Sequence, residues 1–358
     1  MSEKVMIAMS GGVDSSVAAY LLKKEGYDCT GVTMKLYGLP PDADPGKRTC
    51  CSLSDTEDAR SVAARLEIPY YVWDMQEQFK REVIQKFVDT YLQGNTPNPC
   101  IDCNRYLKFD ALLKRARILG IDYLASGHYA RIEQDSRTGR YLLKKCLDSS
   151  KDQSYVLYAM TQDQLAHTLL PLGHYTKKEI RALAKEQGFL NAAKPDSQDI
   201  CFIPDGDYAA FIEQYTDHTS QEGNFIHKDG TVLGCHKGLI HYTLGQRRGL
   251  GIPSAERLYV CGKCPSDNTV ILGKNADLFS KSCSISDINL ISFDRLTAPV
   301  RCKVKIRYRQ EEQWAVAEQT KEDRILITFD EPQRAITPGQ AAVLYDGDIV
   351  LGGGTILL

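Results

Sequence analysis

The chain has 358 residues, of which 43% are hydrophobic and 25% charged, and a formal net charge of −2. This length allows two or three domains, and the composition is ordinary for a soluble globular protein. No apolar run reaches the length of a membrane span, and the N-terminus MSEKV lacks the regions of a signal peptide. We therefore expect a cytoplasmic protein, whose 12 cysteines serve catalytic, redox or metal chemistry rather than a disulfide framework.

The first predicted elements are a strand over Lys4–Met9, a glycine-rich turn and a helix that begins at Val13. The turn belongs to the sequence SGGVDSS, residues 10–16. Its glycines let backbone N–H groups approach phosphate oxygens, and the helix N-terminus adds partial positive charge. The GK[ST] ending of an ordinary P-loop is absent. The pattern instead resembles SGGxDS, the pyrophosphate loop of ATP-pyrophosphatases, which split ATP between its α- and β-phosphates.

Strands and helices then alternate, with strands predicted over Cys29–Tyr37, Tyr70–Trp73 and Tyr123–Ser126 and helices near Asp55–Leu66 and Glu77–Leu92. This alternation predicts a doubly wound parallel α/β sheet that binds its ligand at the carboxyl ends of the strands. Met34, near the end of the second strand, would then lie either beside a bound nucleotide or in the core. The proline- and glycine-rich residues 38–54 predict a long loop, in which we assign no function to Cys50 and Cys51.

A cysteine pair lies in the segment TPNPCIDCNRYLKF, residues 96–109. Pro97 and Pro99 predict a loop over its first half, whereas the residues from Arg105 onward have helical spacing. Cys100 and Cys103 would then lie in a loop that leads into a helix N-terminus. This position lowers the pKa of a thiol and favours the nucleophilic thiolate.

Three further sites have both a structural and a functional interpretation. His128 follows a predicted strand, where it could face a ligand or pack in the core. Lys151, Asp152 and Gln153 precede an apolar run. An aspartate at the position of Asp152 is typical of a helix cap. Cys201 has apolar neighbours on both sides, which favours a buried cysteine without chemistry.

The alternation ends near Asp205, so we predict a catalytic domain over residues 1–205, a small β-rich domain over 206–275 and a C-terminal β-barrel domain over 276–358. The middle domain carries HYTLGQRRGLGI, in which Arg247 and Arg248 occupy a glycine-rich turn. Cys261 and Cys264 form a second CxxC, which needs further ligands to bind zinc. Five predicted strands in the last domain indicate a small barrel or sandwich; they lie near Val300–Tyr308, Trp314–Glu318, Arg324–Thr328, Ala341–Tyr345 and Ile349–Leu351.

The strand predicted at Val300–Gln310 has a basic face. Its cations alternate with apolar residues and so share one side of the strand; they are Arg301, Lys303, Lys305, Arg307 and Arg309. Same-face residues recur every ~7 Å, close to the spacing of phosphates along a nucleic-acid strand. Such a face is either solvated or bound to nucleic acid, and the absence of acidic residues from it favours nucleic acid.

Seven motifs together resemble, in order, those of the tRNA-specific 2-thiouridylase (MnmA) family, which replaces the C2 oxygen of the wobble uridine, U34, with sulfur. The motifs are SGGVDSS, TPNPCIDCN, ASGHYAR, KDQSYVLY, SQDICFIP, YTLGQRRGLG and IRYRQ. The resemblance implies an adenine-nucleotide alpha-hydrolase-like first domain, a central β-rich domain and a C-terminal β-barrel that contacts tRNA.

The resemblance also implies roles for individual residues. ATP, with Mg²⁺ on its phosphates, would contact Ala8, Met9, Ser10, Gly11, Gly12, Val13, Asp14, Ser15, Met34 and Gly127. The target base would face Asn98, Pro99 and Cys100. The tRNA would contact His128, Lys151, Asp152, Gln153, Arg307, Tyr308 and Gln340. Cys201 would carry a persulfide, and Cys103 would be its catalytic partner, able to form a disulfide with it. Family members act on the tRNAs for lysine, glutamate and glutamine, with sulfur from a cysteine desulfurase directly or through a relay protein.

Several alternatives stay open at this point. Some family members have an aspartate at the position of Cys100, where it could assist proton transfer, and a thiol need not take that role. Cys100, Cys103 and Cys201 could instead hold an iron–sulfur cluster, as in related tRNA thiolases, although we favour the persulfide. Two other classes are a small-molecule adenylating ligase, which needs neither the cysteines nor the basic face, and an RNA-binding protein with a degenerate nucleotide site.

Overall fold

The computed structural model describes residues 2–37, 53–196, 200–203, 205–217 and 219–357. Cys50 and Cys51, with most of the predicted loop around them, lie outside these residues. None of the helices in the described ranges is long and apolar enough to cross a membrane.

A parallel sheet forms the first part of the chain, as the alternation predicted. Its order is β3-β2-β1-β4-β7, and Val5, Met6 and Ile7 of β1 are fully buried because a central parallel strand is covered on both faces. β5 and β6 form an antiparallel hairpin. The strands are β1 (Lys4–Ala8), β2 (Asp28–Lys35), β3 (Tyr70–Asp74), β4 (Tyr123–Ser126), β5 (Ala130–Gln134), β6 (Tyr141–Lys145) and β7 (Thr168–Leu169).

Ten α-helical segments accompany these strands in the described part of the chain. They are α1 (Val13–Lys24), α2 (Leu53–Arg65), α3 (Gln76–Phe79), α4 (Lys86–Leu92), α5 (Pro99–Asp102), α6 (Leu112–Ile118), α7 (Ser154–Leu157), α8 (Gln162–Ala166), α9 (Lys177–Glu186) and α10 (Tyr208–Thr216). Two π-helical stretches, Lys80–Gln85 and Cys103–Ala111, join α3 to α4 and α5 to α6.

Helix α10 was not predicted, because the helical pattern was expected to end near Asp205. Asp207 caps this helix by accepting a hydrogen bond from the Ala210 N–H at 3.0 Å. Its buried Ile212 belongs to the core of the catalytic domain, and Phe211 lies 5.2 Å from Phe202 between ring centroids. Helical structure therefore continues beyond Asp205, where the alternation of helices and strands was predicted to end.

The middle of the chain forms a four-stranded sheet with a small core of its own. The order is β10-β11-β8-β9, and Phe225, Val260 and Leu272 are buried on it. The strands are β8 (Gly223–His227), β9 (Val232–His236), β10 (Tyr259–Cys264) and β11 (Thr269–Gly273).

The last part of the chain is a closed six-stranded β-barrel. Its order is β12-β15-β14-β13-β16-β17, and β17 pairs with β12 to close it. The predicted barrel is confirmed, but β12 was missed because four serines, which are typical of turns, alternate with its apolar residues. The strands are β12 (Phe279–Leu290), β13 (Val300–Lys305), β14 (Gln313–Lys321), β15 (Arg324–Arg334), β16 (Ala341–Asp346) and β17 (Ile349–Ile356).

The barrel and the catalytic domain share one hydrophobic core. Tyr155 and Tyr158 pack in the same cluster as Val343 and Tyr345 of β16. The Tyr155 hydroxyl donates to the Ala341 carbonyl oxygen at 2.8 Å, and β6 pairs with β17, which extends the barrel sheet. The barrel is therefore packed against the catalytic domain as part of its interior.

We expect Gly353→Ala to destabilise this junction. A Cβ at Gly353 would lie 2.6 Å from the Ala342 carbonyl oxygen and 2.9 Å from Tyr158 Cδ2. Overpacking of this kind costs about 1–3 kcal/mol, so the urea midpoint should fall. Gly262→Ala on β10 is the matched control, because the nearest atom to its Cβ lies at an ordinary 3.4 Å. Equal urea midpoints for the two variants would contradict close packing around Gly353 at this junction.

Candidate active site

The SGGVDSS loop connects β1 to α1 and is held closed by its own serines. Gly11 has φ +73°, and a Cβ there would lie 2.1 Å from the Asp55 carbonyl oxygen, so only glycine fits. Ser15 Oγ accepts a hydrogen bond from the Ser10 N–H at 3.1 Å and donates to the Gly12 carbonyl oxygen at 3.1 Å. The predicted strand–turn–helix setting of the loop is confirmed.

The loop lies where the strand order of the sheet reverses. β2 and β3 are on one side of β1, and β4 is on the other, so the chain after β1 and the chain after β4 meet at a topological switch point. Gly127 follows β4, and a Cβ there would lie 2.6 Å from the Ser15 nitrogen. Met34, 7% exposed, lies near the carboxyl end of β2. The structure thus brings the residues predicted to bind ATP to one edge of the sheet.

Asp14 is the acidic residue of this loop, and two distant residues hold it. Lys177 Nζ lies 2.7 and 2.8 Å from the two carboxylate oxygens of Asp14. The Tyr129 hydroxyl donates to Asp14 at 2.7 Å. Neither contact could be predicted, because Lys177 is in the first turn of an amphipathic helix that has an ordinary capping box, formed by Thr176 and Glu179.

Lys177 also joins this loop to the segment that leads to Cys201. Its Nζ lies 2.8 Å from Asp196, which in turn pairs with Lys151 at 2.8 Å and Arg181 at 3.1 Å. Burial acts to raise the pKa of Asp196, but hydrogen bonds from Lys151 and Lys177 outweigh it and lower the pKa to about 2. Asp196 is therefore a carboxylate at neutral pH that links three cationic side chains.

Lys151, Asp152 and Gln153 form the KDQ motif, and Asp152 and Gln153 also have partners within the chain. Asp152 accepts hydrogen bonds from the Ser154 hydroxyl at 2.7 Å and the Ser154 N–H at 3.4 Å, although the N-cap position of α7 is Gln153 and not Asp152. Burial raises the pKa of Asp152. Gln153 Oε1 accepts a hydrogen bond from the Tyr129 N–H at 2.9 Å. The motif thus fixes Tyr129, which holds Asp14.

The predicted loop around Cys100 and Cys103 is wrong. Helix α5 begins at Pro99, and Asn98 caps it by accepting a hydrogen bond from the Cys100 N–H at 3.2 Å. Proline suits the first helical position, where its missing N–H needs no partner. Cys100 therefore lies in the first helical turn and is exposed, whereas Cys103 starts the π-helical stretch and is buried.

Cys103 and Cys201 are associated with the same core. Cys103 is a member of the core cluster of the catalytic domain, and Cys201 is half-buried and packs against that cluster. The neighbouring Phe202 ring lies 5.6 Å from the Phe79 ring and 5.4 Å from the Phe87 ring. Across the described ranges no group of three His, Cys, Asp or Glu side chains is arranged to hold a metal ion.

His128 packs within the catalytic domain. Its Nδ1 lies 2.8 Å from Ser126 Oγ, and its ring lies 5.8 Å from that of Phe109. Burial, with the charge of Lys108, holds the pKa of His128 well below its usual value. The imidazole is therefore neutral at physiological pH.

The predicted basic face is wrong in its second half. β13 ends at Lys305, and Arg307 lies in the following turn, where it donates to the Ala335 carbonyl oxygen at 2.6 Å and Thr337 Oγ1 at 2.8 Å. Arg301 pairs with Asp330 at 2.6 Å. The sequence of the strand could not reveal these partners, since they come from β15 and the turn after it.

Two of the residues predicted to contact tRNA connect the barrel to the catalytic domain. Gln340 Nε2 donates to the carbonyl oxygens of Thr96 and Pro97 in the cysteine motif at 2.9 and 3.0 Å. The Tyr308 ring lies 6.0 Å from the Tyr155 ring between centroids. Burial raises the pKa of Tyr308, and the negative charge of Asp152 raises it further.

Three family models match successive parts of the chain. The model described as the tRNA methyl transferase HUP domain matches residues 3–205. Those described as the tRNA methyl transferase PRC-barrel domain and the aminomethyltransferase beta-barrel domain match residues 209–274 and 280–356.

Full-length relatives carry a common name. The tRNA-specific 2-thiouridylase MnmA of Clostridioides difficile is 53% identical over 99% of this chain and 98% of its own length. Proteins of the same name from Acetivibrio thermocellus and Clostridium acetobutylicum are 51% and 50% identical, over 99% of this chain and 99% and 100% of their own lengths. The chain belongs to the MnmA family. The resemblance to the MnmA family, which the order of the seven motifs predicted, is thus confirmed over the full length of the chain. The roles of individual residues stay predictions.

We expect the Asp196 carboxylate to stabilise this MnmA-family fold in a pH-dependent way. Its pKa is about 2 in the folded chain and about 3.9 when unfolded, so its contribution is complete above about pH 4 and lost as the pH falls towards 2. Asp196→Asn should lower the free energy of unfolding by about 1–2 kcal/mol at pH 7.

Urea titrations between pH 3 and pH 7 check this expectation. The difference between the wild-type protein and Asp196→Asn should shrink below about pH 4. Asp110→Asn is a control that removes a carboxylate from the surface pair with Lys114, where the loss should be at most ~0.5 kcal/mol. A pH-independent difference for Asp196→Asn would contradict the assignment.

Proposed function

We propose that the chain catalyses the ATP-dependent 2-thiolation of the wobble uridine, U34, of tRNA. The observation that carries the proposal is the SGGVDSS loop at the switch point of the sheet, in the same domain as a core that includes Cys103 and borders Cys201. Homology supports it, since the relatives at about half identity are named tRNA-specific 2-thiouridylases.

The loop suits the first half-reaction, which is adenylation. ATP, as its magnesium complex, would bind with its phosphates at the N-terminus of α1, where backbone N–H groups and serine hydroxyls can donate. The O2 atom of uridine attacks the α-phosphorus, the bond to the β-phosphate breaks, and pyrophosphate leaves. The C2 carbon then carries an AMP leaving group. Ala8–Ser15, Met34 and Gly127 are the residues proposed for ATP.

The two cysteines suit the second half-reaction. The terminal sulfur of a Cys201 persulfide attacks C2, and AMP leaves with the original oxygen. The Cys103 thiolate then attacks Cys201 Sγ, so the bond between the two persulfide sulfurs breaks and 2-thiouridine is released. A Cys103–Cys201 disulfide results, and an external thiol reductant must reduce it before the next turnover.

Several thiols outside this pair are unsuited to such chemistry. Burial raises the pKa of Cys29 to about 11, and that of Cys302 to about 12. Such thiols stay protonated at neutral pH, whereas the thiolate is the nucleophile. Buried thiols of this kind therefore offer controls for the cysteines of the site.

The tRNA would lie across the catalytic domain and the barrel. Asn98, Pro99 and Cys100 are proposed to face the target base, and Lys151–Gln153, Arg307, Tyr308, His128 and Gln340 to contact or position the tRNA. The tRNAs for lysine, glutamate and glutamine are the proposed substrates. A cysteine desulfurase or a sulfur-relay protein is the proposed persulfide donor. We assign no role to the Cys100 thiol beyond this position.

We expect Cys103→Ser and Cys201→Ser to separate the two half-reactions. Formation of 2-thiouridine should fall by at least about a thousandfold, as when a catalytic nucleophile is removed, while tRNA-dependent release of pyrophosphate, the product of the first half-reaction, is retained in a single turnover. The assay combines protein, ATP, a persulfide donor, a thiol reductant and unmodified tRNA, and measures both pyrophosphate and, by mass spectrometry, thiouridine. Cys29→Ser, matched to Cys103 in burial at 3% against 8% exposed, should keep wild-type yields. A variant of Cys103 or Cys201 that keeps full turnover would remove that cysteine from the mechanism.

Two further measurements test the alternative reactions. AMP release that depends on a small amine, and not on tRNA, would indicate a small-molecule adenylating ligase. Iron and visible absorbance in anaerobically purified protein would indicate a cluster instead of a persulfide.

A further inference from the structure

The proposed function does not use a loop of the middle domain that carries two adjacent arginines. The loop, defined here as the arginine loop, spans residues 243–251 and joins the β8–β9 hairpin region to β10. Arg247 and Arg248 are exposed. Within the part of the chain that the structure describes, neither guanidinium has a hydrogen bond or an ion pair, unlike Arg301 with its Asp330 partner.

The arginine loop is built to hold a fixed shape. Gly245, Gly249 and Gly251 have φ of +84°, +76° and +69°, a region that favours glycine. Gln246 closes the loop, since its Oε1 accepts from the Thr243 N–H at 2.9 Å and its Nε2 donates to the Arg248 carbonyl oxygen at 3.0 Å. The two arginines therefore extend from an ordered backbone, which reduces the entropy lost when a ligand binds.

The surroundings of the arginine loop are also basic. A cavity of about 230 Å³ is lined by Arg247, Arg257, Ser254 and Glu256, among others. The Glu256 carboxylate is 2.8 Å from Lys274 Nζ, so an internal cation compensates its charge. The net charge presented by this cavity is therefore positive.

The arginine loop is continuous with the barrel surface proposed to contact tRNA. A Cβ at Gly245 would lie 3.0 Å from Ala335 Cβ and 3.5 Å from Arg334 Nη1. The carbonyl oxygen of Ala335 and the hydroxyl of Thr337 accept hydrogen bonds from Arg307. Gln340, whose N–H donates to the Thr337 carbonyl oxygen, holds the backbone at the start of the cysteine motif, residues 96 and 97. A basic path thus runs from the arginine loop through Arg334 and Arg307 towards the cysteine motif.

We propose that the arginine loop is a binding site for the phosphodiester backbone of the tRNA, with Arg247 and Arg248 each contacting a phosphate. Guanidinium groups match phosphate oxygens in a two-pronged geometry. Their lack of internal partners means that no existing ion pair is broken on binding. The inference rests on the proposed function, because it takes tRNA as the substrate. An acidic surface of a sulfur-donor protein is the competing occupant, but the path towards the cysteine motif favours the RNA that must bring its base there.

Binding of unmodified glutamate tRNA to the full chain, measured by fluorescence anisotropy from 0.05 to 0.3 M salt, tests this inference. Each lost phosphate contact reduces the slope of log K against log salt by about 0.7–0.9. Arg247→Gln with Arg248→Gln should therefore lower the slope by about 1.4–1.8 and the affinity at 0.15 M salt by roughly 15- to 30-fold.

The matched control removes two charges from the other end of the barrel. Lys321 and Arg324 face each other at the β14–β15 turn, whereas Arg307 lies at the opposite end, in the β13–β14 connection. Lys321→Gln with Arg324→Gln changes the net charge equally and should leave the slope within about 0.5 of the wild type. Arg247→Lys with Arg248→Lys should retain most of the slope, because the slope reflects charge more than geometry.

The outcomes separate this inference from the proposed function. If the variant with Arg247→Gln and Arg248→Gln has the same salt slope as the control variant at the β14–β15 turn, the inference is overturned, even if wild-type protein forms 2-thiouridine. Loss of sulfur transfer from the donor protein with unchanged tRNA binding would also overturn it, in favour of a protein partner. Absence of 2-thiouridine with wild-type protein would instead contradict the proposed function.

Discussion

A single lysine ammonium group joins segments of the catalytic domain that are far apart in the sequence. Lys177 contacts both carboxylate oxygens of Asp14 in the SGGVDSS loop and one carboxylate oxygen of Asp196. Asp196 in turn pairs with Lys151 of the KDQ motif. Because an unpaired charge in a half-buried site is unfavourable, displacing one of these groups would leave its partners unpaired. The loop, the KDQ motif and the segment that leads to Cys201 therefore share one electrostatic framework.

The second constraint is the core shared by the catalytic domain and the barrel. Tyr155 and Tyr158 follow the KDQ motif and bury their rings against residues of β16. Asn289 of β12 donates hydrogen bonds to the carbonyl oxygens of Tyr158 and Met160. The barrel is thus not an appended module, and the ring of its turn residue Tyr308 lies 6.0 Å from that of Tyr155. This shared packing suits an enzyme that must recognise a large substrate and reach one base of it.

The sequence predicted the architecture better than it predicted contacts between distant residues. The parallel sheet and the barrel followed from local patterns of apolar residues, because the side-chain period of strands and helices is a local property. The start of α5 was placed too late, since Pro99 was interpreted as a breaker although proline favours the first helical position. The basic face was extended too far, because the end of β13 depends on its partner strands.

The contacts of the site show a different limit. Asp14 and Lys177 are separated by 163 residues, and no periodicity relates them. The SGGVDSS loop could be recognised from its glycines and serines, because a tight turn restricts residue type. The lysine, tyrosine and aspartate that hold it could not, since many side chains of those types occur in any helix or turn. Sequence patterns therefore identified where the chemistry is proposed but not what supports it.

The contact between Gln340 and the Thr96–Pro97 backbone has a consequence for how the chain is made. The cysteine motif is held in part by a barrel residue, and the rings of Tyr155 and Tyr158 are covered by strands that leave the ribosome much later. During synthesis the catalytic domain would therefore expose apolar surface until β16 and β17 emerge, a period in which chaperones can bind it. In an MnmA-like chain of this design, the backbone ahead of the cysteine pair gains its Gln340 partner only once the barrel has been made.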